Sequence, residues 1–154
     1  MRRIFLTLFI FALLPASLAQ AFFGLFDSSP ENARAKDGVV TLDVSGISPA
    51  NARNYIYREG QNSIKFFLVR DSGGVVRAAL DACDVCWKEG RGYQPKDGAM
   101  VCLNCGQRFP LSRIGIIKGG CNPHPLKFDL KDNTVSIESS ELLSGAQFFP
   151  GKTR

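Results

Sequence analysis

Two cysteine pairs constrain this chain more than any other feature. Cys83-Asp84-Val85-Cys86 is followed by fifteen residues and then Cys102-Leu103-Asn104-Cys105; fifteen more lead to Cys121, in Gly119-Gly120-Cys121-Asn122-Pro123-His124-Pro125. Each CxxC pair forms one tight knuckle, and the stretch between them is long enough for a hairpin that brings the knuckles together. That is the spacing of a four-thiolate metal site, with Cys83, Cys86, Cys102 and Cys105 as candidate ligands. Gly106, directly after the second pair, supports the knuckle, because backbone amides can turn toward the sulfur with no Cβ in the way.

Disulfides are the competing assignment for an exported chain. Five cysteines cannot all pair within one chain, and a CxxC bridge closes so small a ring that it tends to be redox-active rather than structural. Trp87 and Gly106 stand where covalent haem attachment requires histidine, and a thioredoxin-type pair would need a βαβ context that is absent. Four thiolates accept zinc, a single iron or an iron–sulfur cluster, and spacing does not separate these. Cys121 is a further candidate: an alternate ligand, a ligand to a second metal or a reactive thiol. Its flanking glycines and prolines equally suit a rigid loop in which Cys121 and His124 simply pack.

With one histidine in the chain, a two-histidine metal site within one subunit is excluded, and a His-based triad finds little support, since it would have to be built on His124 alone. Asp81, Asp84, Glu89 and Asp97 flank the knuckles as acidic residues ordinarily do at turns and strand ends. No paired general acid and base emerges, so no catalytic residue is assigned and an electron carrier or metal-binding protein fits better than an enzyme. Trp87, Tyr93 and Phe109 read as an apolar lid that keeps water from the site.

Residues 1–21 have the form of a signal peptide. Arg2 and Arg3 precede the apolar run Ile4 to Leu14, and Ala19-Gln20-Ala21 suits cleavage before Phe22. The alternative is an uncleaved N-terminal anchor that associates the protein with a membrane. Arg2-Arg3 also partly matches a twin-arginine signal. Either way the chain is expected in the periplasm or otherwise exported, which argues against a nucleic-acid partner. Without Arg2 and Arg3 the formal charge falls from +5 to +3, a mild balance that would offset a negative thiolate site.

Residues 22–37 read as a tether, 38–149 as a single metal-binding β domain and 150–154 as a tail. Val40, Leu42 and Val44 alternate with polar residues in strand fashion. Ile64 to Arg70 and Val75 to Asp81, separated by Asp71-Ser72-Gly73-Gly74, predict a hairpin whose second strand delivers Cys83. Gly90 to Gly98 reads as a loop, Ala99 to Val101 as a strand presenting Cys102, and Ile114 to Ile117 as another strand. Leu126 to Leu130 and Thr134 to Ile137, around Asp132-Asn133, predict a last hairpin. No sustained helical period follows the leader, so the spacing of many short strands predicts an all-β fold, a small barrel or sandwich with the two CxxC knuckles on loops.

These residues carry a family resemblance. Ile64-Lys-Phe-Phe-Leu-Val-Arg, Arg77-Ala-Ala-Leu-Asp-Ala-Cys-Asp-Val-Cys, Gly92-Tyr93, Met100-Val-Cys-Leu-Asn-Cys-Gly-Gln-Arg-Phe, Ile114-Gly115 and Gly119-Gly-Cys-Asn-Pro closely resemble the exported domain of the bacterial iron–sulfur-containing, FtrD-like membrane proteins. The resemblance runs from Tyr55 to Leu142 and is densest over Ile64 to Leu126. It implies an iron–sulfur or other metal centre on Cys83, Cys86, Cys102 and Cys105, with Cys121 as a family residue, and membrane iron-transport or redox components as partners. A more distant likeness is to the layout of Rieske iron–sulfur domains, whose two histidines are here replaced by cysteine. All-cysteine ligation of a two-iron cluster implies a low potential, nearer roughly −400 mV than the Rieske range.

The first reading is thus an exported, Rieske-like β domain that transfers electrons in a membrane-associated iron-uptake or redox system. One alternative is a structural zinc-ribbon-like module that binds a periplasmic or membrane partner. Another is a thiol–disulfide oxidoreductase using Cys121.

Overall fold

The computed structural model describes residues 29–151. The leader or anchor at 1–21, residues 22–28 of the expected tether, and the last three residues of the tail lie outside the described residues. The strands are β1 (Glu31–Ala33), β2 (Ala35–Lys36), β3 (Val39–Asp43), β4 (Ala52–Glu59), β5 (Asn62–Arg70) and β6 (Val76–Leu80), followed by β7 (Tyr93–Lys96), β8 (Ala99–Cys102), β9 (Arg108–Pro110), β10 (Asp129–Lys131) and β11 (Thr134–Glu138). A short helix, α1 (Ser139–Leu143), follows.

Three sheets result, in the orders β1-β4-β5-β6, β10-β11-β3-β2 and β7-β8-β9. All pairings are antiparallel except β1 with β4. The all-β expectation holds.

The hairpin β5–β6 forms as its composition requires. Asp71 closes its turn by accepting the backbone N–H groups of Gly73 (3.0 Å) and Val75 (2.9 Å) through Oδ1. β5 is buried on both faces, which explains its continuous run of apolar residues. Ile64, Phe66 and Leu68 point into one core with Val40, Leu80, Val135, Ile137 and Leu142, between the two four-stranded sheets. Phe67 and Val69 point the other way, into a second core with Ala79, Met100, Leu111 and Ile114. Each fully buried residue of this size stabilises the fold by about 1.5–3 kcal/mol. The second core also contains Cys83, Cys102 and Tyr93, so the three-stranded sheet and the knuckles share one packed unit.

Four segments differ from the sequence reading; in one, the strand expected over Leu126 to Leu130 is confined to Asp129–Lys131, because only those residues pair with β11. The stretch read as a tether contributes β1 and β2, with β1 paired in register with Tyr55–Tyr57 and Ala33 buried. Its pattern gives no sign of this, because an edge strand this short takes its conformation from its partner.

The loop expected between Gly90 and Gly98 contains β7, with Pro95 opposite Met100. Pro95 is tolerated there because β7 is an edge strand, where a missing N–H costs no ladder bond.

Ile114 to Ile117 is not a strand. Leu111–Arg113 is a 3-10 turn and turns follow it, with Ile114 buried and Ile116 60% exposed. Gly115 adopts φ +73°, and a Cβ there would stand 2.8 Å from the Ala78 carbonyl oxygen. Glycine at this position lets the chain turn while pressed against β6.

Candidate metal centre

β6 runs out at Leu80 and leads directly into the first knuckle. Here the Cys86 N–H donates to the Cys83 sulfur at 3.1 Å, the amide-to-sulfur bond that a CxxC turn is shaped to make. The second knuckle continues from β8, where Cys102 pairs with Tyr93 of β7. The Cys102 N–H bonds the Gln107 carbonyl (2.9 Å) and the Gly106 N–H bonds the Cys102 carbonyl (2.9 Å). Gly106 takes φ +75°, a left-handed conformation that favours glycine, although a Cβ there would meet nothing within 4 Å, so its backbone freedom rather than clearance is what the knuckle uses.

The loop bearing Cys121 reaches the site by long-range backbone bonds. The Leu80 N–H donates to the His124 carbonyl (2.8 Å), and the His124 N–H donates to the Ala82 carbonyl (2.9 Å). Residues 121–125 are thereby stapled alongside the approach to Cys83.

Five sulfurs meet here. Those of Cys83, Cys86 and Cys121 lie within 4.8 Å of one another, as do those of Cys86, Cys102 and Cys105. Cys86 belongs to both triads, and its sulfur is 3.8 Å from that of Cys121. Cys83 and Cys102 are buried, Cys86 and Cys121 half-buried, and Cys105 exposed. The packing alternative for Cys121 is therefore incomplete, since the residue packs directly against the thiols. His124 is not among the converging donors. Its ring lies against Phe148 (5.0 Å between centroids), and its Nδ1 is 3.6 Å from Asp84.

The thiols differ in how readily they ionise. Burial pushes Cys102 up to about 11, against the opposing pull of the Cys105 and Asn104 N–H groups. Burial, reinforced by hydrogen bonds with Cys86 and Cys105, pushes Cys121 up to about 12. Cys105 moves down, chiefly because the Gln107 N–H points at its sulfur. In the thiol state Cys105 is thus the readiest anion of these three. A bound cation would draw the buried thiols toward thiolate. The soft sulfur donors of the two knuckles fit zinc or an iron–sulfur cluster by chemistry, with the Cys121 sulfur standing beside them.

Tyr93 is the aromatic residue that closes the site. It is buried, its hydroxyl donates to the Cys121 carbonyl at 2.6 Å, and Phe109 packs edge-on behind it. Trp87 stands apart, edge-on against Phe148 (6.5 Å), as a wall of a cleft of about 680 Å³. The cleft reaches Cys83, Cys86 and Cys102, and Lys65, Lys88 and Arg91 also line it.

Asp81 is the residue whose importance its sequence context hides. Its carboxylate accepts the Tyr93 N–H at 2.7 Å and so holds the start of β7 beside the first knuckle. Burial raises its pKa to about 7, although the Tyr93 N–H and Lys65 oppose the shift. Gly92 is required next to it, because a Cβ there would stand 2.3 Å from Asp81 Oδ2.

The all-β scaffold gathers cysteine thiols from two CxxC knuckles on the edge of a packed core, a donor set with the chemistry to hold a metal. The family model for membrane iron–sulfur containing proteins, FtrD-like, matches residues 47–149, and the chain belongs to that family. No curated protein matches it. Among solved structures, the crystal structure of the quaternary ammonium Rieske monooxygenase CntA in complex with an inhibitor is similar, with a TM-score of 0.44 and 15% identity. The similarity covers 74% of this chain and 32% of that one, so this chain spans about a third of the monooxygenase's length. Among the described residues, no helix is long and apolar enough to cross a membrane.

Proposed function

We propose that this domain is exported, holds an iron–sulfur cluster on Cys83, Cys86, Cys102 and Cys105, and passes single electrons in a membrane-associated iron-uptake or redox system. The observation that carries the reading is the convergence of both knuckles' sulfurs, in a member of a membrane iron–sulfur family. When bound, such a cluster supplies one-electron chemistry at a low potential set by all-thiolate ligation.

The chain's own residues prepare the place. Amides of Asn104, Cys105 and Gln107 aim at the second knuckle's sulfurs and favour their thiolate forms. Tyr93, Met100 and Ile114 exclude water from the inner side. Exposed Cys105 makes the outer side the short route to a partner, because electrons leave most readily where the ligand shell meets solvent. The leader supports a periplasmic location, with membrane iron-transport or redox components as partners.

Zinc is the second reading, since an all-thiolate donor set suits it equally. The test is to express the chain with its leader and again from Phe22, purify both anaerobically, and measure iron, zinc and acid-labile sulfide per chain. Iron with matching sulfide supports electron transfer. Stoichiometric zinc without iron in both preparations, from an iron-replete host, overturns it and leaves a structural or partner-binding module.

A further inference from the structure

A four-ligand centre leaves one of the five thiols over, and that thiol is held against a ligand. The Cys86 and Cys121 sulfurs are 3.8 Å apart, while a disulfide needs about 2 Å, so closing the gap requires a shift of under ~2 Å. The Cys121 loop can provide it. Gly119 and Gly120 precede the cysteine at φ +100° and +61°, and a Cβ on either would meet nothing within 4 Å. Cys86 lines the open cleft and is reachable from solvent. Bridges within a CxxC close a strained small ring, whereas a Cys86–Cys121 link spans 35 positions and constrains the unfolded chain far more.

We propose that Cys86 and Cys121 form a reversible disulfide while the metal site is empty, so that loading requires a thiol reductant. The inference rests on the four-ligand reading above and holds for iron or zinc. The Cys86 thiolate attacks one sulfur of a disulfide donor, a small-molecule or protein disulfide of the exported compartment, and the donor's other sulfur departs as a thiolate. The Cys121 thiolate then displaces the first donor sulfur. Two thiols of the chain become one disulfide, the donor's disulfide becomes two thiols, and the two protons pass to the departing sulfurs. Reduction by a dithiol reverses the sequence and frees Cys86 to ligate. The linkage would protect the empty site from irreversible oxidation and from capture of the wrong metal.

The full chain, purified anaerobically, is divided into loaded and chelator-stripped portions. Both are treated with oxidised glutathione, alkylated and mapped by peptide mass spectrometry without reduction. The stripped protein is expected to show tryptic peptides 78–88 and 119–127 joined, with fragmentation placing the link at Cys86, and to take up no metal until dithiothreitol is added. The loaded protein is expected to show no link. Bridges confined to Cys83–Cys86 or Cys102–Cys105, or only glutathione adducts, would overturn the proposal. Cys121→Ser is expected to load normally under reducing conditions and to lose the reductant requirement after oxidised glutathione. If that variant instead fails to hold metal even under reduction, Cys121 is a ligand, and the four-ligand reading falls along with the disulfide.

Discussion

The hydroxyl of Tyr93 lies 2.6 Å from the carbonyl oxygen of Cys121 and donates to it, across 28 positions of sequence. The same residue sits opposite Cys102 in the β7–β8 ladder and gives its N–H to Asp81. One side chain and one amide therefore join all three cysteine-bearing segments: the end of β6, the second knuckle and the proline loop.

Replacing Tyr93 by Phe keeps the ring in the second core and removes the tie to the loop. The expected stability loss is about 1 kcal/mol, the usual net value of one buried hydrogen bond. Metal release to a competing chelator should be faster than in the parent protein, with the far-ultraviolet circular dichroism unchanged. An unaltered release rate would show that the loop is held without Tyr93.

Phe66 and Phe67 are adjacent and fully buried, yet they serve different cores. Phe66→Ala and Phe67→Ala should each destabilise by about 3–5 kcal/mol in denaturant unfolding. Only Phe67→Ala should also weaken metal retention under mild conditions, because its cavity opens beside Cys83, Met100 and Cys102. Equal metal retention in the two variants would mean that the cores are mechanically coupled.

Asp71 gives the pH prediction. Burial pushes its carboxyl up, but the Val75 N–H, Arg77 and the Gly73 N–H together outweigh this and hold it below the ordinary value of 3.8. Arg77 reaches it at 3.3 Å. A carboxyl lowered in the folded state contributes stability that is present above its unfolded pKa and disappears as pH falls through the folded value. Asp71→Asn should therefore be less stable than the parent at neutral pH, and the gap should close below pH 3.8. A gap independent of pH would assign the effect to geometry rather than charge.

Metal removal should loosen one part of the molecule. The second core is small and includes two cysteines, whereas the core between the larger sheets contains none. Hydrogen exchange on chelator-stripped protein should show lost protection in β7, β8 and β9, with β4 and β5 retained. Trp87, the chain's single tryptophan and the neighbour of Cys86, should report stripping by a change in fluorescence. Uniform loss of protection would indicate that the whole domain folds on its metal.

Much of the centre was legible before the fold. A CxxC knuckle is a turn of a few residues, so Cys83-Asp84-Val85-Cys86, and Cys102 to Cys105 with Gly106 after it, specify their own local shape. The hairpin β5–β6 was equally legible, since a run of β-branched and aromatic residues and a turn signal are properties of adjacent residues, and so were β11 and its turn, whereas β10 is confined to Asp129–Lys131. Other features depend on partners far along the chain. β1 is a strand because β4 lies beside it, and Ile114–Ile117 is not one because Gly115 presses on the Ala78 backbone. Asp81 looks like any acidic residue at a strand end until Tyr93 comes to lie over it. Cys121 joins the other thiols because bonds from Leu80 and Ala82 to His124 hold its loop there. The sequence by itself determined which thiols form knuckles and that they sit on a β scaffold, since those rest on short-range geometry. Only the tertiary structure decided that the fifth thiol stands against Cys86, because that placement comes from backbone pairing between segments more than forty positions apart.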